Sequence, residues 1–597
     1  MADADLRVFA TELNAVLLAG GVSPSDRSTI ARSVVQMVAA AAGWEVPPAL
    51  AAAGPVVAPA GELTVPSELC SPRLLGELYE STLDPGARSA GSHYTPADVA
   101  AGLVGLAWSR IERGRDDPTV WDPACGGGAF LLAAGDRLLE DGWSADQVLG
   151  RLWGTDTDPG AVAVAEASLA WWAELNGGRP APSAGNVTSA DSLLERRPGP
   201  PEGFTLVVGN PPFQGQLTGR AIRGADEREA LRERFGSVVG PYTDISSLFM
   251  VLGVDALAPG GAMAMVVPSS LLSARDAEAA RRRVTETVDL VGLWVAVEPV
   301  FEASVDVCAP VVVRPSGSPG SGPRPVVVGW RGRTFEGLGA VETAKGRVEP
   351  VPASWSPLAL RALGVPDHDH RAGGTLAEIC RGAGAFRDEY YGLVDHVSDT
   401  DVESMNDLPV GQAPLITSGL VDPGRCRWGE RPARFARRLW ERPVVDVVAL
   451  ERAGGKAASW VRSTARPKVV VASQTRVGEA AVDQDGRWVV STPAVVLTTP
   501  PDRLWEIAAV VCSPVATAVL LAGAAGTARS VNAIRPTVEL IGNLPLPVDH
   551  EAWGEGAEAL RRGDMESFAS AMALAYGRTG AAELEEWWAS RLPASAT

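Results

Sequence analysis

Three short apolar runs each meet an acid where a turn begins. Thr119-Val120-Trp121-Asp122 runs into Pro123-Ala124-Cys125-Gly126-Gly127-Gly128, and a helix is expected from Ala129 to about Glu140. Arg151-Leu152-Trp153-Gly154-Thr155-Asp156 is followed by Asp158-Pro159, which opens the next helix. Asp191, in Ser189-Ala190-Asp191-Ser192-Leu193, ends or follows a third short strand. Strand, glycine turn, helix is the opening of a nucleotide-type α/β domain. The glycine spacing is not Gly-x-Gly-x-x-Gly, so the dinucleotide fingerprint is not met. Asp122 can accept from an ammonium group, and the glycines let a ligand approach the backbone closely. Asp156 occupies the usual position for gripping a ribose diol. Each acid alone reads equally well as a helix cap; three in βαβ succession favour a binding role.

Further along, Phe204-Thr-Leu-Val-Val208 reads as a buried parallel strand ended by Gly209. Asn210 then supplies a side-chain carbonyl at the strand's carboxyl end, where ligands of open α/β sheets bind. Pro211 and Pro212 fix the backbone and remove two N–H donors, leaving carbonyls to accept. Phe213 adds a flat face. The set suits gripping an exocyclic amine on a planar ring, although a strand entering a proline-rich turn has the same pattern.

Upstream, Gly91-Ser92-His93-Tyr94-Thr95-Pro96 precedes a helix expected from Ala97 to about Ile111. Thr95 sits where an N-cap belongs, with Pro96 at the first helical position. Cys125 has nothing basic nearby in sequence to activate it as a nucleophile. His368 and His370 read as a solvated interdomain loop rather than metal ligands.

The 597 residues are enough for several domains, and the net charge of −19 argues against nucleic-acid binding on average. The distribution argues otherwise. Arg425 to Arg476 holds 13 Arg and Lys against 4 Asp and Glu, a balance of +9 that leaves −28 for the rest. Arginines there are interleaved with Trp428, Trp440 and Trp460. An acidic body with one basic segment fits a protein presenting one face to a polyanion. Arg425, Arg427, Arg437, Arg438, Arg462, Lys468 and Arg476 are the expected contacts. The six cysteines include no Cys-x-x-Cys pair, which points to a reducing cytoplasm. The acidic start lacks a signal peptide's basic region. The uncharged run Ile507 to Ala528 contains Ser513-Pro514, an N-cap and first-turn proline, so two short buried helices are expected rather than a membrane span.

Tyr94-Thr95-Pro96, the segment Asp122 to Phe130, Asp156, Asp191 and Asn210 to Phe213, in that order, resemble the gamma-class amino-methyltransferases, DNA adenine-N6 methyltransferases of restriction–modification systems. The resemblance covers about residues 70 to 315 closely and extends more weakly to the C-terminal part, which looks like the target-recognition domain those enzymes carry. It implies a seven-stranded, Rossmann-like sheet binding S-adenosylmethionine. By match, Tyr94, Thr95 and Pro96 would line the cofactor's methionine end, with Asp122, Pro123, Ala124, Cys125, Gly126 and Gly128 beside them. Asp156 would hold the ribose and Asp191 the cofactor's adenine amine. Asn210 and the Pro211 carbonyl would accept from the target amine, with Phe213 and Phe301 against a flipped base. Two positions depart from the pattern: Phe213 replaces the commoner tyrosine, and Ser192 stands where an aromatic often covers the cofactor's adenine.

The expected organisation is a helical segment and linker over 1–62, a catalytic domain over 63–370, and a β-rich α+β target-recognition domain over 371–597. Double-stranded DNA is the expected partner, with a separate restriction endonuclease or defence-complex subunit. RNA, cytosine-N4 or protein-amide methylation, and a non-catalytic cofactor-binding subunit, remain open alternatives.

Overall fold

The computed structural model describes residues 11–594 apart from 18–20, 24–25, 48–49, 51–69, 83–93, 113–116, 180–185, 214–224, 302–304, 318–324, 344–345, 348–350, 352, 385–386, 525–532 and 579–581. Much of the linker expected at the end of segment 1–62 lies outside the described residues. The chain divides into two compact units. One is Met1–Val341 with Arg347–Leu358; the other is Glu342–Gly346 with Ala359–Thr597.

The first unit is built on one mixed sheet. Its strands are β1 (Val120–Asp122), β2 (Leu152–Asp156), β3 (Val187–Ser189), β4 (Phe204–Gly209), β5 (Leu257–Met265), β6 (Val267–Pro268), β7 (Asp289–Val295), β8 (Val307–Val313), β9 (Val328–Arg331) and β10 (Glu336–Ala340). The order across the sheet is β10-β9-β7-β8-β5-β4-β1-β2-β3, with β6 paired to β8. The seven expected strands are therefore present, extended at one edge by β9 and β10. β1 pairs in parallel with both β2 and β4, and β8 runs antiparallel between β5 and β7. Chain order reverses at β1, which makes the carboxyl ends of β1 and β4 a switch point where an open α/β sheet leaves a crevice. All six residues of β4 are buried, as a strand covered on both faces requires.

Helices cover the sheet. Ala129–Glu140 starts at Gly128, whose φ of +91° favours glycine and whose Cβ would lie 3.3 Å from the Ala165 Cβ. Pro159–Leu175 is capped by Asp158, which accepts from the Gly160 amide at 2.9 Å. The N-terminal helix Arg27–Ala42 shares an apolar cluster with Pro72–Thr82 and Pro159–Leu175. Just beyond it, Trp44 stacks on Trp171 with ring centroids 5.3 Å apart.

The second unit is β-richer. One four-stranded sheet runs Arg381–Gly384, Val495–Thr498, Lys468–Val471, Ala480–Asp483; another runs Val397–Asp399, Pro443–Asp446, Gln412–Ile416, Val489–Val490. The uncharged run near its end forms two buried helices, Leu504–Cys512 and Pro514–Ala524, bent by 61°. The Ser513 hydroxyl accepts from the Ala516 amide at 3.0 Å, the expected cap. Among the described residues no single helix is long and apolar enough to cross a membrane.

Candidate active site

The crevice begins with Asp122 at the end of β1. It is 1% exposed, and its Oδ1 accepts from the Ala124 amide at 3.0 Å. Burial pushes its carboxyl up to about 8, and the Asp156 charge adds to the rise. Gly209 ends β4 alongside. A Cβ there would sit 2.7 Å from Asp122 Oδ1, so the neighbouring strand end must be glycine for the carboxylate to lie in the crevice.

Asp156 holds the turn from the other side. Its Oδ2 accepts from the Gly126 amide and its Oδ1 from the Asp158 amide, both at 2.9 Å. Burial raises this carboxyl too. Cys125 joins β1 to β2, its amide donating to the Thr155 carbonyl at 3.0 Å. Its thiol is buried and held well above its ordinary pKa by burial and by nearby carboxylates. Burial of this kind disfavours the thiolate, the nucleophilic form. Beyond β3, Asp191 Oδ1 accepts from the Leu193 amide at 2.9 Å. The Ser192 hydroxyl donates to the Pro123 carbonyl at 2.7 Å and ties the third turn to the first.

Asn210 sits one residue past β4. Its Nδ2 donates to Thr95 Oγ1 at 3.1 Å, which fixes which end of the amide is the acceptor. Here the expectation for Thr95 is corrected. The cap of helix Ala97–Trp108 is Pro96, with no side-chain hydrogen bond, and Thr95 serves Asn210 instead. Pro96 contributes its carbonyl, which accepts from the Val99 and Ala100 amides. Tyr94 packs nearby, its hydroxyl donating to the Arg73 carbonyl at 3.4 Å, and burial raises its pKa. Pro211 is buried; Pro212 and Phe213 are half-buried. Phe301, far away in sequence, meets Phe213 with ring centroids 6.3 Å apart at 63°. Two separate segments thus bring two aromatic rings together.

This geometry coincides with the results of comparison. The family described as N-6 DNA methylase matches residues 71–312. A relative, the methylase subunit of the type I restriction enzyme MjaIX of Methanocaldococcus jannaschii, is 24% identical over 231 residues, 38% of this chain. The chain spans 38% of that relative's length. Among solved structures, the type IIL restriction–modification enzyme MmeI in complex with DNA superposes with a TM-score of 0.55 at 12% identity, over 88% of this chain and 79% of that one. That likeness is one of fold.

Residues 71–312 hold groups that the sequence motifs do not announce. Arg234, in helix Ala225–Phe235, donates through Nη1 to the carbonyls of Ser192, Leu193 and Glu195 at 3.1, 2.8 and 2.9 Å. It clamps the turn that carries Asp191. Arg27 and the Tyr79 hydroxyl both donate to Asp158 Oδ2 at 2.7 Å, fixing the cap next to Asp156. Glu80, in helix Pro72–Thr82, reaches the glycine turn. Its nearest sequence signal is the i,i+4 pairing of Gly76 with Glu80 on one helix face.

The basic segment of the second unit is less free than its charge balance suggests. Lys468 is 0% exposed and paired with Asp483, so it cannot reach a phosphate; its assignment as a DNA contact is corrected. Arg427 is held by Asp422 and Glu430, each at 2.8 Å, Arg425 by Glu430, and Arg462 by Glu451. Trp428 and Trp460 are core residues whose indoles donate to the Pro443 and Val490 carbonyls. Arg437, Arg438 and Arg476 are exposed and have no ion-pair partner among the described residues. Arg437 stands at the tip of the hairpin joining Ala433–Phe435 to Arg438–Trp440, where Ala436 and Arg437 both take left-handed backbone (φ +51° and +64°). The Tyr390 hydroxyl anchors that tip by accepting from the Ala436 amide at 2.9 Å.

Proposed function

We propose that this chain is a site-specific DNA methyltransferase that transfers a methyl group from S-adenosylmethionine to the N6 amine of an adenine flipped out of duplex DNA. The observation that carries this is Asn210 to Phe213 at the carboxyl end of β4, with Thr95 holding the amide and Phe301 facing Phe213. The residues fit the cofactor. Asp122 and Asp156 surround a glycine turn whose amide is already oriented by Asp156, and buried carboxylates with raised proton affinity gain most from a cationic ligand. The cofactor supplies an electrophilic methyl group on sulfonium.

Adenine's amine is a poor nucleophile because its lone pair is delocalised into the ring. The Asn210 Oδ1 and the Pro211 carbonyl accept from the two N–H bonds and favour a pyramidal nitrogen. Positioning and electrostatics then provide most of the acceleration, with no covalent intermediate on the chain. Phe213 and Phe301 offer apolar faces to a base that has lost its stacking in the duplex. The partners on this reading are duplex DNA and a restriction endonuclease or defence-complex subunit. The deciding experiment is single-molecule sequencing of DNA from cells expressing the chain. N6-methyladenine at one recurring sequence supports the proposal; 5-methylcytosine alone, or no modification, refutes it.

Two further outcomes are expected. Asp156→Ala should weaken S-adenosylmethionine binding by roughly 1–3 kcal/mol in calorimetry, the scale of hydrogen bonds to a charged group; unchanged affinity would remove the ribose assignment. Charge reversal of Arg437 and Arg438 should weaken duplex binding and flatten its salt dependence, because each lost phosphate contact removes about one released counterion. Reversal of Arg462, already matched by Glu451, should change the slope much less. Equal effects at the two places would mean that the hairpin is not the contacting element.

A further inference from the structure

The helix Pro72–Thr82 crosses the glycine turn at the closest approach its backbone allows. A Cβ on Gly127 would lie 2.4 Å from the Gly76 Cα. Glu80 lies four residues past Gly76, on the same helix face. Its carboxyl therefore lands on the turn: a Cβ on Gly126 would lie 2.9 Å from Glu80 Oε1, and the Gly127 amide faces the same carboxyl. Its second oxygen, Oε2, is sealed from solvent and takes no hydrogen bond among the described residues. The charged groups around it are acids, Asp156 first, then Asp158 and Glu77. Asp158 is matched by Arg27. Burial pushes Glu80 up to about 8, and the neighbouring acids add to the rise. A carboxyl buried beside other acids is costly unless a cation completes the site.

We propose that Glu80 is a binding residue for the α-ammonium group at the methionine end of S-adenosylmethionine. This rests on the cofactor reading above and extends it to an acid supplied by a helix rather than by a strand end. Of the two cationic groups on that cofactor, only the ammonium carries N–H donors that can satisfy Oε2; a sulfonium cannot donate.

The test compares two neutral-sulfur ligands by calorimetry, S-adenosylhomocysteine, which keeps the amino-acid part, and 5′-methylthioadenosine, which lacks it. Glu80→Gln keeps the side chain's shape and removes its charge. Affinity for S-adenosylhomocysteine should fall about ten- to a hundredfold, while that for 5′-methylthioadenosine stays within about twofold. Retained binding of the truncated ligand also shows that the variant is folded. Unchanged affinity for S-adenosylhomocysteine overturns the assignment, because a neutral amide would then serve as well. An equal loss for both ligands overturns it too, since Glu80 would then be propping the turn. If the unaltered protein binds neither ligand, the cofactor reading itself falls; if it binds both and Glu80→Gln binds both alike, only the Glu80 assignment falls.

Discussion

Asn210→Ala should lower methyl transfer to duplex DNA by about a hundred- to a thousandfold, the range for removing one preorganised polar group that acts on the transition state. Cofactor affinity should barely change, because the proposed acceptor faces the target amine. The Thr95 hydroxyl orients the amide in advance, so no reorganisation is needed as the nitrogen pyramidalises. Thr95→Val should therefore reproduce part of the loss without touching the reacting atoms. Phe213→Ala should also slow turnover, and a duplex with the target adenine already unpaired should partly restore it, since the unstacking cost is smaller. The same duplex should not rescue Asn210→Ala. Tritium transfer from labelled cofactor, with the product nucleoside identified by mass spectrometry, reads all of these. Full activity in Asn210→Ala would end the proposed mechanism.

Lys468→Met should destabilise the second unit by about 3–5 kcal/mol, the cost of leaving a buried partner charge uncompensated. Asp483, 2% exposed, would keep the Arg487 and Trp488 amides at 3.1 and 2.9 Å but lose its cation. Replacing both members with apolar residues of similar volume should cost much less than the sum of the single changes, because no charge is then stranded. Urea unfolding followed by tryptophan fluorescence measures both. At temperatures where Lys468→Met is folded, the salt dependence of DNA binding should match that of the unaltered protein. A flattened slope with unchanged stability would instead return Lys468 to the DNA-contacting set.

Much of the first unit was legible because its signals are local. Helix Ala129–Glu140 falls where glycine turn and apolar run placed it, and β1, β2 and β4 differ from expectation only at their ends. Local signals mislead where one residue type serves two purposes. Threonine before Pro-Ala-Asp has the pattern of a helix cap, yet the Thr95 hydroxyl is engaged by Asn210, 115 residues away. The +9 balance of Arg425 to Arg476 is real, but charge counted along a segment ignores acids such as Asp422 and Asp483 that lie outside it and fold back onto its arginines and Lys468. Trp428 and Trp460, interleaved with arginines in sequence, turn their indoles into the core.

The sequence alone determined the order of strand, turn and acid, and with it the α/β class and the strand ends at which a ligand would sit. Those features follow from backbone sterics and apolar patterning within a few residues. Only the tertiary structure decided which groups share the crevice: Glu80 through the Gly76–Gly127 approach, Arg234 through three carbonyls, and Phe301 against Phe213. Each pairing joins segments tens of residues apart, where contact depends on how the sheet and its helices pack and not on any pattern along the chain.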